Sequence, residues 1–149
     1  MNELRIHRQL EHGNICRLHE AYETPSHIIL VMEYAKGERL IDYVVSNSPL
    51  KEKECMRIMK ELLETIIYLH SLHIIHRDIK LENILIDKDE QNDRINLRLI
   101  DFGLSVTTDN IEFFKRSGTP GYVAPEVLIA DTYDTQIDIF SLGVILFTM

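Results

Sequence analysis

Five strongly polar side chains, His76, Arg77, Asp78, Lys80 and Asn83, stand at fixed spacing inside "IIHRDIKLENILI" (residues 74–86), between two runs of isoleucine and leucine. Metal binding is the first chemistry to weigh. His70, His73 and His76 recur every third residue, but the last lies beyond the preceding helical pattern, and neither a cysteine nor a fourth ligand has metal spacing. Calcium binding is the second. Asp87, Asp89, Gln91 and Asp93 alternate as calcium ligands do, yet such a loop needs glycine at residue 92 and glutamate at residue 98, where Asn92 and Arg98 stand. That stretch reads instead as the solvated tip of a hairpin.

The elements that must position the polar set follow from periodicity. Leu4, Ile6, His7 and Leu10 have helical spacing up to a break at Gly13. "ICRLHEAYE" and "HIILVMEYA" read as two strands joined by the turn "TPSH". From Ser48, a candidate N-cap with Pro49 in the first turn, apolar residues at 55, 58, 59, 62, 63, 66, 67 and 69 predict a long amphipathic helix. "NILID" and "NLRLI" predict strands around the tip "KDEQNDRI". A glycine- and proline-punctuated stretch then leads to "DIFSLGVILFTM", which predicts a buried helix.

Composition bounds the function classes. A chain of 149 residues with 45% hydrophobic and 27% charged content can bury a core without disulfides or metals, as one globular unit. Formal net charge is -8 with only 16 Lys plus Arg, which argues against a broad footprint for nucleic acid or acidic lipid, so a basic surface must be local. Cys16 and Cys55 are too few for a disulfide framework and lack CxxC spacing, pointing to a reducing compartment, cytoplasm or nucleus. "MNELRIHRQLEHG" is charged throughout, unlike a signal peptide, and no apolar stretch has bilayer length; a soluble chain without a membrane partner is expected.

Three motifs in order, "HRDIKLEN" at 76–83, "DFG" at 101–103 and "GTPGYVAPE" at 118–126, closely resemble the eukaryotic protein kinase family, and the resemblance covers essentially the whole chain. It implies an α+β fold, an incomplete protein-kinase-like domain over residues 1–149. Residues 1–33 would be the remainder of the β-rich amino-terminal lobe, and residues 34–149 the hinge and the front of the α-rich carboxy-terminal lobe as far as the start of its central helix. The glycine-rich loop and the strand lysine that contacts phosphate are expected outside the chain, so the piece alone is expected to be unstable and inactive.

What the resemblance implies for the polar set is phosphoryl transfer, whose loose transition state needs a positioned acceptor hydroxyl and neutralised phosphate charge. Asp78 would accept or orient the hydroxyl proton, Lys80 would contact the γ-phosphate of ATP, and Asn83 with Asp101 would hold Mg2+ or Mn2+. Glu3 falls at the family's helix glutamate and Met32 at its gatekeeper. The backbone of Glu33 and Ala35 would face adenine, with Leu85 beneath the ring and Leu40, Ile84, Ile86 and Ile145 behind it. His76 and Phe102 resemble members of the regulatory spine, with Leu18 and His7 above and Asp138 tethering the base. His7 replaces the usual apolar residue and needs a hydrogen-bond partner. Phe140 replaces a tryptophan, and Glu126 would be a buried carboxylate paired with an arginine further along than residue 149.

Lys80 and the loop bearing Thr119 resemble serine/threonine kinases, so protein substrates with those acceptors are implied. "DFGLS", "VMEYAKGERLIDYV" and "HIIHRDIKLENILI" are most similar to the calmodulin-dependent and AMP-activated group. Arg39 stands where kinases of basic substrates often have glutamate, while Glu82 keeps an acidic contact near the acceptor. Arg77 would receive an activating phosphate at a position occupied here by Lys115, which leaves Glu112, or phosphate on Ser117, Thr107 or Thr108, to hold the loop. A pseudokinase or truncated interaction protein is the alternative from another class. A small-molecule kinase is disfavoured by "GTPGYVAPE", which resembles a protein-substrate platform.

Overall fold

The computed structural model describes residues 2–89, 91, 94–109, 116–130 and 132–149. Its architecture is mixed α and β, as the motifs imply. Helix α1 (Asn2–His7) precedes a hairpin of β1 (Leu18–Glu23) and β2 (Ile28–Met32), closed where the Thr24 N–H donates to the His27 carbonyl at 2.8 Å. There follow β3 (Glu38–Arg39), α2 (Leu40–Asn47), α3 (Glu52–Ser71), β4 (Ile74–Ile75), a 3-10 turn (Leu81–Asn83), β5 (Ile84–Asp89) and β6 (Arg94–Leu99). The order ends with β7 (Val106–Thr107), α4 (Pro125–Ile129) and α5 (Gln136–Thr148). Strand order is β3-β5-β6 in the largest sheet, and β1-β2 and β4-β7 form two-stranded ladders, all antiparallel.

The core forms where the helical and strand periods meet. Ile58, Leu62, Ile66 and Leu69 recur on one face of α3 and pack in one buried cluster with Leu40 of α2, Ile84 and Ile86 of β5, Leu97 and Leu99 of β6, and Leu142 and Ile145 of α5. Each such aliphatic side chain contributes about 1.5–3 kcal/mol over its exposed state. On β5 the buried residues alternate with Leu85, which faces the opposite side and stays half-buried. The hairpin is thereby fixed to α3 on one face, and the residues before it, 76–83, are anchored in the same cluster through the buried Ile79 and Leu81.

Three expectations are corrected. Ser48 is not the N-cap of the long helix but the C-cap of α2; α3 starts at Glu52, after Lys51, with Glu52 and Glu54 in its first turn on the side the helix dipole favours. The two-turn helix α2 buries Leu40, Tyr43 and Val44, a stripe too short to stand out from the surrounding hinge sequence. The β5–β6 ladder runs on to Asp89 opposite Arg94, past the expected strand ends, and the Lys88 ammonium is tied to Glu54 of α3 at 2.8 Å. Helix α5 is half-buried rather than buried: Ile137, Asp138, Ser141, Leu142 and Ile145 face inward, whereas Phe147 is 93% exposed and Ile139, Phe140 and Leu146 are also open. Apolar content over-read its burial because Ile139, Phe140, Leu146 and Phe147 are apolar yet stand on its outward face.

Gly37 fixes how β3 reaches the sheet. It adopts φ +104°, and a Cβ there would lie 2.1 Å from the Ile86 carbonyl oxygen, so only glycine lets the backbone pass this close to β5. Among the described residues no helix is long and apolar enough to cross a membrane.

Candidate active site

The loop between β4 and the 3-10 turn is held from below by one carboxylate. Asp138, buried in the first turn of α5, accepts the His76 N–H at 2.9 Å and the Arg77 N–H at 3.0 Å, and the His70 ring Nε2 lies 2.9 Å from the same carboxylate. His70 through its ring and His76 through its backbone N–H thus meet on one aspartate, while the His76 ring turns away toward Phe102. Arg77 takes φ +68° and Asp101 φ +64°, the left-handed region that costs about 1–2 kcal/mol for a residue with a Cβ. The tether on Asp138 offsets that cost at Arg77. The expected role of Asp138 as the support of the loop matches this geometry.

Above the tether, Asp78, Lys80, Asn83 and Thr119 form a closed hydrogen-bonded set. Lys80 Nζ donates to Asp78 Oδ2 at 2.7 Å and to Thr119 Oγ1 at 2.8 Å; the Thr119 hydroxyl donates to Asp78 Oδ1 at 2.6 Å. Asn83 Nδ2 donates to the Asp78 carbonyl at 2.9 Å and to Oδ2 at 3.0 Å. Burial works to raise the Asp78 carboxyl, but hydrogen bonds from Lys80, Thr119 and Asn83 outweigh it and hold the group below the usual carboxylate range. It is a carboxylate already engaged with a hydroxyl donor.

Asp101 enters from the other side. The Ile100 N–H donates to the Asn83 carbonyl at 3.0 Å, which anchors the residue before Asp101 to Asn83, and the exposed Asp101 carboxylate accepts the Gly103 N–H at 3.1 Å. The next residue, Phe102, is fully buried between two imidazoles, its ring centre 5.0 Å from His7 and 4.9 Å from His76. His7 finds the partner it needs: Nε2–H donates to the Cys16 carbonyl at 2.7 Å. Burial lowers the affinity of His76 for a proton despite Asp138, Asp78 and Asp101 nearby, so it is a neutral ring that accepts the Asp78 N–H on Nδ1 at 3.3 Å. Glu3 Oε2 would lie 3.9 Å from a Cβ on Gly103, which sets the α1 carboxylate beside the "DFG" turn.

The remaining expected residues are less tightly gathered. Met32, Glu33, Ala35 and Leu85 are all half-buried. The Glu33 carbonyl accepts the Cys16 thiol at 3.0 Å and keeps a second lone pair. Arg39 is exposed and its guanidinium is bound by Asp42, at 2.8 and 3.2 Å, a partner absent from the sequence reading. Glu82 is half-buried in the 3-10 turn. Glu126, expected to be a buried carboxylate, is only half-buried in the first turn of α4, because that short helix keeps one side in solvent.

Arg77 is engaged in a way the sequence did not suggest. Its Nε donates to the Leu104 carbonyl at 2.6 Å and its Nη1 to the Tyr133 hydroxyl at 3.0 Å. Tyr133 lies 56 residues from Arg77, and nothing in "ADTYDTQID" marks it as a partner. Of the residues expected to hold the loop, Thr107 is paired with Ile74 in the β4–β7 ladder and the Thr108 N–H donates to the His73 carbonyl at 2.8 Å; Glu112 and Lys115 lie outside the described residues.

Comparison with known proteins gives a consistent result. The chain is 42% identical over 147 residues to "Probable serine/threonine-protein kinase 2" of Plasmodium falciparum, covering 99% of this chain and 28% of that protein. It is 38% identical over 148 residues to "Calcium/calmodulin-dependent protein kinase type 1" of Macrobrachium nipponense, covering 99% and 42% respectively. It is 40% identical over 148 residues to "SNF1-related protein kinase catalytic subunit alpha KIN12" of Arabidopsis thaliana, covering 99% and 29%. The chain therefore spans less than half the length of each of these relatives. The family model described as "Protein kinase domain" matches residues 1–149, and the chain belongs to that family.

Proposed function

We propose that the protein transfers the γ-phosphate of ATP to serine or threonine hydroxyls of protein substrates. The observation that carries this is the contact of the Thr119 hydroxyl with Asp78 Oδ1 at 2.6 Å, under the Lys80 ammonium at 2.8 Å. A hydroxyl is oriented there toward a carboxylate and beside a cation, the geometry an acceptor hydroxyl needs before attack on phosphorus. In this role Asp78 orients and accepts the acceptor proton, and Lys80 balances negative charge on the transferring group. Thr119 keeps the hydroxyl-binding corner formed until substrate replaces it. The names of the three relatives, serine/threonine-protein, calcium/calmodulin-dependent and SNF1-related protein kinases, support the acceptor class.

Asn83 and Asp101 are suited to Mg2+, with Mn2+ as a substitute. Asn83 spends its side-chain N–H groups on Asp78, which leaves its side-chain oxygen Oδ1 as a ligand, and Asp101 is an exposed carboxylate one anchored residue away. Two protein ligands suit a magnesium ion, which keeps water and phosphate oxygens at its remaining positions. When bound, the ion would neutralise phosphate charge. Asp101→Ala in the full-length protein should weaken nucleotide binding in the presence of magnesium by about tenfold or more, while binding measured in chelator changes little. Titration of a fluorescent ATP analogue with and without chelator checks this; equal loss in both conditions would remove Asp101 from the metal site.

Adenine would rest on Leu85 between Met32 and the backbone of Glu33 and Ala35, with Glu3 serving the strand lysine expected upstream. A cytoplasmic or nuclear setting fits the two free thiols, Cys16 and Cys55. At the substrate side Arg39 disfavours a basic residue before the acceptor, although Asp42 compensates part of its charge. Arg39→Glu should raise selection for arginine in a peptide-library profile of the full-length protein. A dominant arginine three residues before the acceptor in the unmodified protein would contradict the role given to Arg39.

A further inference from the structure

Two clefts, of about 400 and 370 Å3, lie side by side where α2, the residues leading into α3, α3 itself and the β5–β6 hairpin meet, and they share Arg57 and Ile95 as a common wall. Together they are lined by Lys51, Lys53, Arg57, Lys60, Lys88 and Arg94, against the carboxylates of Glu54 and Glu61. Six of the chain's 16 Lys and Arg are thus gathered on one groove of a molecule whose net charge is -8. The floor is rigid. Lys88 Nζ donates to Glu54 at 2.8 Å and to the Tyr43 hydroxyl at 3.1 Å, and that hydroxyl in turn donates to Glu54. Glu61 is likewise occupied, accepting the Asn14 amide at 2.8 Å. Both lining carboxylates therefore have partners; Lys51, Lys53 and Lys60 are exposed, and of these Lys60 forms a loose ion pair with Glu64 at 3.8 Å on the same helix.

We propose that this groove docks an extended acidic segment of a protein partner. Its form favours a peptide over a single small anion, because the cations run through two joined clefts and alternate with apolar wall from Pro49, Leu50 and Ile95. It disfavours a nucleic acid. The aromatic residue of the lining, Tyr43, is buried and offers no face for base stacking, and beyond the groove a polyanion would meet the net negative charge of the rest of the chain. None of the lining residues belongs to the Asp78 cluster, so docking can be measured without any reference to phosphoryl transfer.

The test uses the full-length protein and a fluorescein-labelled peptide of alternating glutamate and alanine, with the glutamine–alanine peptide as control. Anisotropy should show saturable binding of the glutamate peptide that weakens as salt is raised. The double variant K51E/K53E should lower affinity about tenfold, and K60Q, at the other cleft, should also lower it, both with thermal unfolding changed little because these side chains are exposed and the Lys60–Glu64 pair is a loose surface one. Equal binding of the glutamine peptide, or unchanged affinity in both variants, would overturn the proposal. So would an oligothymidylate that binds the same groove more tightly than the glutamate peptide, which would make the site one for single-stranded nucleic acid.

Discussion

Asp78→Asn in the full-length protein is expected to lower phosphoryl transfer about a thousandfold, within the range for loss of a positioned general base, and to leave nucleotide affinity nearly unchanged. The asparagine keeps the shape of the side chain and can still receive the Lys80 ammonium, at 2.7 Å from the present carboxylate, on its remaining oxygen. What it loses is the second oxygen and the negative charge that orients a hydroxyl as Thr119 is now oriented. The effect should therefore fall on the chemical step and not on KM for ATP. Single-turnover transfer to a peptide substrate, with parallel titration of a fluorescent nucleotide, measures both. Near-normal transfer by Asp78→Asn would mean that the carboxylate does not act on the acceptor hydroxyl, and that role would pass to another group.

Asp138→Ala should be the most destabilising single change in the loop support. It leaves the buried N–H of His76 and the N–H of Arg77 without the acceptor they now share, at 2.9 and 3.0 Å, and it strips the His70 ring of the same partner. With about 1–3 kcal/mol for each orphaned backbone donor, a loss of about 4 kcal/mol in unfolding free energy is expected. Urea unfolding of the full-length protein checks it, with the m-value as a guard against a changed unfolded state. Asp138→Asn, which retains one acceptor oxygen, should lose less. If Asp138→Ala lowered stability by less than about 1 kcal/mol, water or a rearranged loop must satisfy both donors, and the carboxylate would not be the fixed point on which Asp78 depends.

What could be read from sequence divides along a physical line. Asp78, Lys80 and Asn83 lie within one short loop, so their spacing alone brings them together, and the geometry that unites them with Thr119 follows a pattern of residue types. Asp138 was legible only through the resemblance to the kinase family, because 62 residues separate it from the His76 N–H that it accepts and no local pattern links the two. Tyr133 and Asp42 were not. Their contacts with Arg77 and Arg39 are side chain to side chain, and a hydroxyl or carboxylate in an ordinary turn or short helix carries no mark of its partner. Helix α2 was missed for a related reason: eight residues give only two turns of period, and its packing on the β5 side supplies the stability its own hydrogen bonds do not. Four of the cations of the basic groove lie in one window, residues 51–60, but Lys88 and Arg94, which close it from the β5–β6 hairpin, lie far from that window in sequence.

Gly37 also decides where the connection after β2 can turn. Its backbone passes against Ile86, and Glu38 and Arg39 immediately pair with Ile86 and Leu85, so from residue 37 onward the chain is stapled to the same sheet that carries the loop of Asp78. Upstream, Glu33 is bonded to Arg17 through its N–H at 2.7 Å and moves with the β1–β2 hairpin. Between these two anchorages lie only Tyr34, Ala35 and Lys36, which belong to no helix or strand. Cys16, just before β1, is likewise held to the Leu99 carbonyl of β6 at 3.2 Å, so any rocking of the hairpin over the rest of the molecule would have to be absorbed at two short connections, Arg17 before β1 and residues 34–36 after β2, with Gly37 the fixed bearing of the second.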